Sequence, residues 1–138
     1  MKRSWLKRKT KLRKQSKQKI SLLQRKIWAE CKRIIRARYP NTCYTCGAKN
    51  LEGKNWQTGH LLAKASVGAY LKYDLRLLRP QCLKCNIHHG GRGAEFIEYM
   101  RAEEGNAYVN KILKDKNITV KAYDHYEKIY EQYKQIKN

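Results

Sequence analysis

Two short motifs constrain this chain more than anything else in it: Cys43-Tyr44-Thr45-Cys46-Gly47 and Cys82-Leu83-Lys84-Cys85-Asn86. Each CxxC knuckle sets two thiolates on a tight turn, so that both sulfurs reach one ion. Two knuckles complete a tetrahedral four-cysteine zinc site. A redox role fits poorly, because the motif occurs twice and no βαβ pattern surrounds either copy. The expected zinc is structural and supplies folding energy that a small polar core lacks.

The knuckles stand unusually far apart. A plain zinc ribbon separates its CxxC pairs by about 15–20 residues, whereas residues 47–81 intervene here, 35 in all. The insert contains Trp56-Gln57-Thr58-Gly59-His60, which reads as a strand ending in a histidine, with Trp56 in the core. Short strands are predicted at 55–58 and 75–79, and a short helix around 62–71. A lone histidine is more often structural than chemical. His60 gains weight because His88 and His89 follow the second knuckle, which the zinc brings towards the insert. Helical neighbours point about 100° apart, so one of that pair would face a cleft and the other solvent or a ligand. Gly90, Gly91 and Gly93 then form a flexible exit, read as a loop between helices.

The rest of the chain has helical periodicity. Ile20, Leu23, Ile27, Cys31 and Ile34 recur at spacings of three and four, with Trp28 and Ile35 beside them, and the helix should end before Tyr39-Pro40. Cys31 lies in that apolar stripe and reads as a buried core thiol. Ala94, Ile97 and Met100 mark a second helix, and Tyr108, Ile112 and Leu113 a third. A last one carries Val120, Tyr123, Tyr130 and Tyr133. Tyrosines can stack on bases, but these follow helical spacing and are assigned to packing. His125, in the same segment, is expected on the surface. Three regions follow: a basic arm and helix over 1–40, a zinc-stabilised core over 41–93 and a helical segment over 94–138.

Charge bears on partners. The formal net charge is +21, and residues 1–40 hold 16 Lys/Arg against the single acid Glu30. Such an excess points to a polyanion and to salt-dependent binding. Residues 1–18 have the composition of a solvated, partly disordered tail that orders on nucleic acid. No apolar run is long enough to span a bilayer, and no apolar core follows the N-terminal charges. The expected compartment is therefore a reducing cytoplasm, where cysteines serve as metal ligands rather than disulfides.

A histidine ending one strand, a return strand, then a helix with a further histidine is the layout of HNH, or ββα-metal, nucleases. Phosphodiester hydrolysis needs a base for water and a divalent cation for the developing charge. From about Asn41 to Val109 the chain resembles the lambda NinG (Rap) recombination proteins, phage HNH-type nucleases. The resemblance rests on CYTCG, WQTGH and LKYDLRLLRPQCLKCNIHHGG and covers about half the chain. It implies an α+β fold with a zinc-stabilised, treble-clef-like HNH core between N- and C-terminal helices. It implies structural zinc on Cys43, Cys46, Cys82 and Cys85, His60 at the general-base position and His88 as a ligand of a catalytic Mg²⁺ or Mn²⁺. It further implies cleavage of branched DNA recombination intermediates, in the host cytoplasm if the chain is phage-encoded.

Two positions depart from the wider HNH pattern. Gly59 stands where many of these nucleases place an acid or histidine. Leu77 stands where the asparagine that orients the base would fall. Asp74, Asn86 and His89 are the remaining candidates for the catalytic ion, and Asn86 occupies a position where many HNH proteins carry histidine. Arg25, Lys32, Arg36, Lys64, Arg79, Lys84 and Arg92 are the candidate phosphate contacts. The competing hypothesis is a non-catalytic zinc-finger nucleic-acid-binding protein, with an RNA-binding or ribosomal zinc protein as its variant. A membrane-surface role leaves the histidines unexplained. A homodimer would suit the two cuts that a symmetric junction requires.

Overall fold

In the computed structural model, backbone is described for residues 2–138 and side chains from residue 7 onward. The first element, α1 (Lys2–Arg38), is one unbroken helix. The basic arm therefore does not form a separate tail: its backbone continues the helix that begins the packed segment at Ile20. The physical reason is local. Residues 2–38 contain neither Gly nor Pro and are dominated by Lys, Arg, Gln and Leu, which are good helix formers. The packed second half supplies the nucleus on which the first half propagates. Residues 7–19 are exposed all round.

The centre is a two-stranded antiparallel sheet, β1 (Gln57–His60) and β2 (Leu78–Gln81). Its register pairs Gln57 with Gln81, Thr58 with Pro80, Gly59 with Arg79 and His60 with Leu78. Both strands lie two to three residues C-terminal to the sequence expectation. Tight 3-10 turns at Gly53–Asn55 and Leu75–Leu77 occupy the residues just before them. Between the strands, the predicted helix splits into a 3-10 turn at Lys64–Ser66 and the single-turn α2 (Ala69–Lys72), broken at Val67–Gly68. Three helices close the chain: α3 (Gly93–Glu104), α4 (Asn106–Asp115) and α5 (Ala122–Lys134). Val120 falls just outside the last of them.

All four residues of β2 are buried, and the strand divides the apolar interior. Leu78 joins Ile27, Cys31 and Ile34 of α1 and Tyr126 and Ile129 of α5 on one side. Leu77 joins Leu61, Phe96, Met100, Val109 and Ile112 on the other. Successive side chains of an extended chain face opposite ways, so the Leu77-Leu78 pair pins two clusters at once. Cys31 is fully buried, as expected; its thiol lies 3.7 Å from the Tyr73 carbonyl, which also accepts from the Tyr133 hydroxyl at 2.8 Å. Burial pushes the Cys31 thiol up to about 12, so it is an inert core group. Tyr126 and Tyr133 are buried and Tyr130 packs against them half-buried, in keeping with a packing role, whereas Tyr123 is exposed. His125 is half-buried against Tyr70, 5.5 Å between rings, rather than on the surface.

One candidate phosphate contact is part of this interior. Arg79 is 1% exposed. Its guanidinium donates to the Leu78 carbonyl at 2.8 Å and pairs with Glu104 at 3.3 Å and Glu103 at 3.6 Å. It also lies 4.7 Å from the Tyr39 ring. In the free protein this side chain is therefore turned into the interior rather than towards solvent. Glu103 and Glu104 are themselves partly exposed, so losing the guanidinium strands no buried charge; what is lost is the buried stem and its hydrogen bond to the Leu78 carbonyl. Arg79→Ala is therefore expected to lower the unfolding free energy by about 2–4 kcal/mol in urea titration, through the void and the lost charge-assisted bond, while the salt dependence of DNA binding by the folded variant stays unchanged.

Candidate active site and nucleic-acid face

The four knuckle cysteines converge. Their sulfurs all lie within 4.8 Å of one another, with Cys46 and Cys82 3.7 Å apart. A tetrahedron with Zn–S bonds of about 2.3 Å has edges of about 3.8 Å, so the cluster suits a structural Zn²⁺. The local fold acts on the four sulfurs unequally. The Cys85 amide donates to the Cys82 sulfur at 3.4 Å, and Arg92 Nε donates to the Cys85 sulfur at 3.2 Å. Burial works against ionising Cys43, but hydrogen bonds from the Cys82 and Cys46 backbone and from Thr45 bring it down to about 6. At Cys46 the Ala48 backbone favours the thiolate; burial and the three neighbouring sulfurs override it and raise the group to about 12. Four thiolates this close need a cation between them.

A buried hydrogen-bond chain leads from the cluster to the sheet. The Thr45 hydroxyl lies 3.6 Å from the Cys43 sulfur and accepts from Gln81 Nε2 at 3.0 Å. The same amide nitrogen donates to the Gly91 carbonyl at 2.9 Å. Gly91 sits at φ +87, a conformation that suits glycine, and so delivers its carbonyl to Gln81. Gly59 has its own reason in this chain: a Cβ there would overlap the Gln81 side-chain amide. The position is thus occupied by a packing requirement rather than by a metal ligand.

His60 ends β1 and stacks on Trp28 of α1, with ring centroids 5.1 Å apart and planes at 16°. Its Nε2 is buried and has no protein partner. Burial, then the charge of Lys64, pulls the imidazole down to about 4; a hydrogen bond to the Lys72 carbonyl works the other way. The ring is therefore neutral at physiological pH and holds its second nitrogen free.

The other candidates divide. His88 and His89 are both exposed, on a π-type turn (Lys84–His88) and just after it, and neither imidazole makes a hydrogen bond or ion pair among the described residues. That turn is fastened to β1 by Asn86 Nδ2, which donates to Gln57 Oε1 at 2.8 Å. Gln57 lies three residues from His60, about 10 Å along a strand. Asp74 is engaged elsewhere in the free protein. Its carboxylate caps the Leu75–Leu77 turn through the Arg76 amide and pairs with the Arg76 guanidinium at 2.7 Å. Leu77 is fully buried. Among the described residues, the four cysteines are the one group of three or more Cys, His, Asp or Glu side chains close enough to share an ion. The free imidazoles and Asn86 Oδ1 offer at most a partial coordination shell for a second cation. Mg²⁺ tolerates this, since it keeps waters and uses substrate phosphate.

Trp28 also forms the wall between two clefts. One, of about 440 Å³, is lined by Arg25, Lys64, Lys72 and Tyr73 among others. The other, of about 330 Å³, is lined by Lys32, Arg36, Lys54, Gln57 and Asn86 among others. No acid lines either cleft. Arg25, Trp28, Lys32 and Arg36 recur every three or four residues and so share one face of α1. Sequence reasoning missed Lys54 and Lys72, which carry no motif, and Trp28, whose place in the apolar stripe concealed it. Lys84 is exposed and Arg92 is half-buried beside Cys85.

The profile of the family described as Bacteriophage Lambda NinG protein matches residues 1–138. The chain belongs to the NinG family. Comparison with curated proteins and with solved structures returns no match. NinG membership extends the resemblance from half the chain to all of it, α1 and the C-terminal helices included. It supports a general role as a DNA-binding recombination nuclease. No helix among the described residues is long and apolar enough to cross a membrane.

Two predictions test this geometry. Cys82→Ser should lose the bound zinc, measured by atomic absorption, and with it the cooperative thermal transition. Leu77→Asn, which restores the usual HNH residue, should destabilise the chain by about 3 kcal/mol in urea titration because it creates a void and buries an amide without a partner.

Proposed function

We propose that this NinG-family chain is a metal-dependent DNA endonuclease of the HNH, ββα-metal type that prefers branched recombination intermediates. The observation carrying the proposal is His60. A neutral imidazole with an unpartnered Nε2 ends a strand and stacks on Trp28, which lines two cationic, acid-free clefts. Phosphates bind along Arg25, Lys32, Arg36, Lys64 and Lys72, with Lys84 and Arg92 contributing beside the second knuckle. Backbone contacts of this kind position a duplex without reading its sequence, which suits recognition by branch geometry.

His60 Nε2 takes the proton of the attacking water. A base works best with a pKa near the operating pH. Its low value in the free protein has burial as the main cause and Lys64 as the second. A phosphate that pairs with Lys64 offsets the latter and brings negative charge near the ring, raising the imidazole into its working range. His88, with His89 and Asn86, holds a Mg²⁺ or Mn²⁺ together with substrate oxygens; such an ion stabilises negative charge on the phosphate and leaving oxygen.

The enclosure of Nε2 favours a second reading, a non-catalytic zinc protein that only binds nucleic acid. Incubation with a four-way junction, a linear duplex and single-stranded DNA separates the two. Cleavage of the junction first, with Mg²⁺ or Mn²⁺ and not after EDTA, is the expected result. His60→Ala should reduce the rate by about 10²–10⁴ with little change in DNA affinity by fluorescence anisotropy. Binding without cleavage under every metal condition would establish the second reading.

A further inference from the structure

In the nuclease layout that this chain resembles, an asparagine fixes the orientation of the base histidine. Here that position is Leu77, which is fully buried in the cluster with Phe96 and Met100. Something else must hold His60, because a base that rotates freely about χ1 and χ2 loses much of its effect.

The neighbouring side chain that meets the imidazole face is Trp28, 5.1 Å away and nearly coplanar. It comes from a different region of the chain and rides on rigid backbone. Ile27 before it and Cys31 after it are completely buried, and both join the cluster that contains Tyr73, Tyr126 and Ile129. The Lys64 ammonium lies 4.6 Å from the Trp28 ring centre and 5.0 Å from that of Tyr73, which fixes the indole in turn. A flat ring stacked on one side leaves an imidazole free to present only its edge nitrogens.

We propose that Trp28 is the positioning residue for His60 and performs from α1 the orienting task that Leu77 cannot. The basic helix then has two roles in one face: Arg25, Lys32 and Arg36 meet phosphate, and Trp28, between them, aligns the base. This inference rests on His60 being the base. Lys64 is the charged group acting on the imidazole, with the Lys72 carbonyl beside it, so Trp28 acts by stacking and by excluding water rather than by charge.

The test compares Trp28→Ala, Trp28→Leu and Trp28→Phe in the full chain, each checked for zinc content and thermal transition. With junction DNA and Mg²⁺, the alanine and leucine variants should lose about tenfold or more in kcat, as misplaced groups do, with KM within about threefold. The acid limb of their kcat/KM, which reports the free protein, should move up towards pH 6.5, the ordinary histidine value. Phenylalanine, which restores a flat ring, should recover most of both. Equal behaviour of leucine and phenylalanine, or an unmoved acid limb in a folded alanine variant, would overturn the positioning role. If no variant cuts DNA, wild type included, the nuclease reading fails. The stack is then judged by NMR of the His60 ring. Ring-current-shifted imidazole protons in wild type, lost in Trp28→Leu and regained in Trp28→Phe, support it; unshifted protons reject it. The same wild-type spectrum decides if the alanine variant does not fold.

Discussion

The four-cysteine cluster is the constraint on which the other relations depend. It joins segments 36 residues apart, Cys46 to Cys82, and its effects extend outward through groups that would otherwise lack partners. Thr45 touches the Cys43 sulfur, Gln81 bonds Thr45 and Gly91, and Gln81 excludes any side chain at Gly59. Arg92 closes the far side of the cluster on Cys85. Without a cation the four thiolates repel one another, and a sheet of two four-residue strands is too small to hold itself together in water. A zinc ion in this cluster would hold the strands in place, and the strands hold His60.

Charge in this chain is sorted rather than balanced. There are 11 acids against 32 Lys and Arg, and several of those acids bind internal arginines. Glu103 and Glu104 take Arg79, while Asp74 and Asp115 take Arg76. The clefts beside the face of α1 that carries Arg25, Lys32 and Arg36 are lined by no acid. One arrangement thus serves both stability and function: salt bridges that fasten the interior also remove acids from the surface where a phosphate backbone would lie.

Much of the fold was legible because it rests on local chemistry. The CxxC pairs, the apolar stripe from Leu23 to Ile34 and the burial of Cys31 follow from spacing alone. The strands were recognisable but displaced by two to three residues. An apolar run such as Leu75-Arg76-Leu77-Leu78 does not show where a capped turn ends and a strand begins; the Asp74 carboxylate decides that by bonding the Arg76 amide. The arm was expected as a tail because a charge run looks alike in a disordered segment and in a helix without Gly or Pro.

The sequence by itself determined the family, the four-cysteine site, the basic character of the N-terminal region and the histidine that ends β1. These depend on residue type and short spacing, which a linear chain displays. Only the tertiary structure decided which basic residues face outward, since Arg79 and Arg92 look alike in sequence and differ by strand register and by a sulfur neighbour. It alone paired Asp74 with Arg76, explained Gly59 through Gln81, and placed Trp28 on His60. Those outcomes belong to contacts between distant segments, and the zinc cluster and the packing of α1 against α5 create them only once the chain has closed.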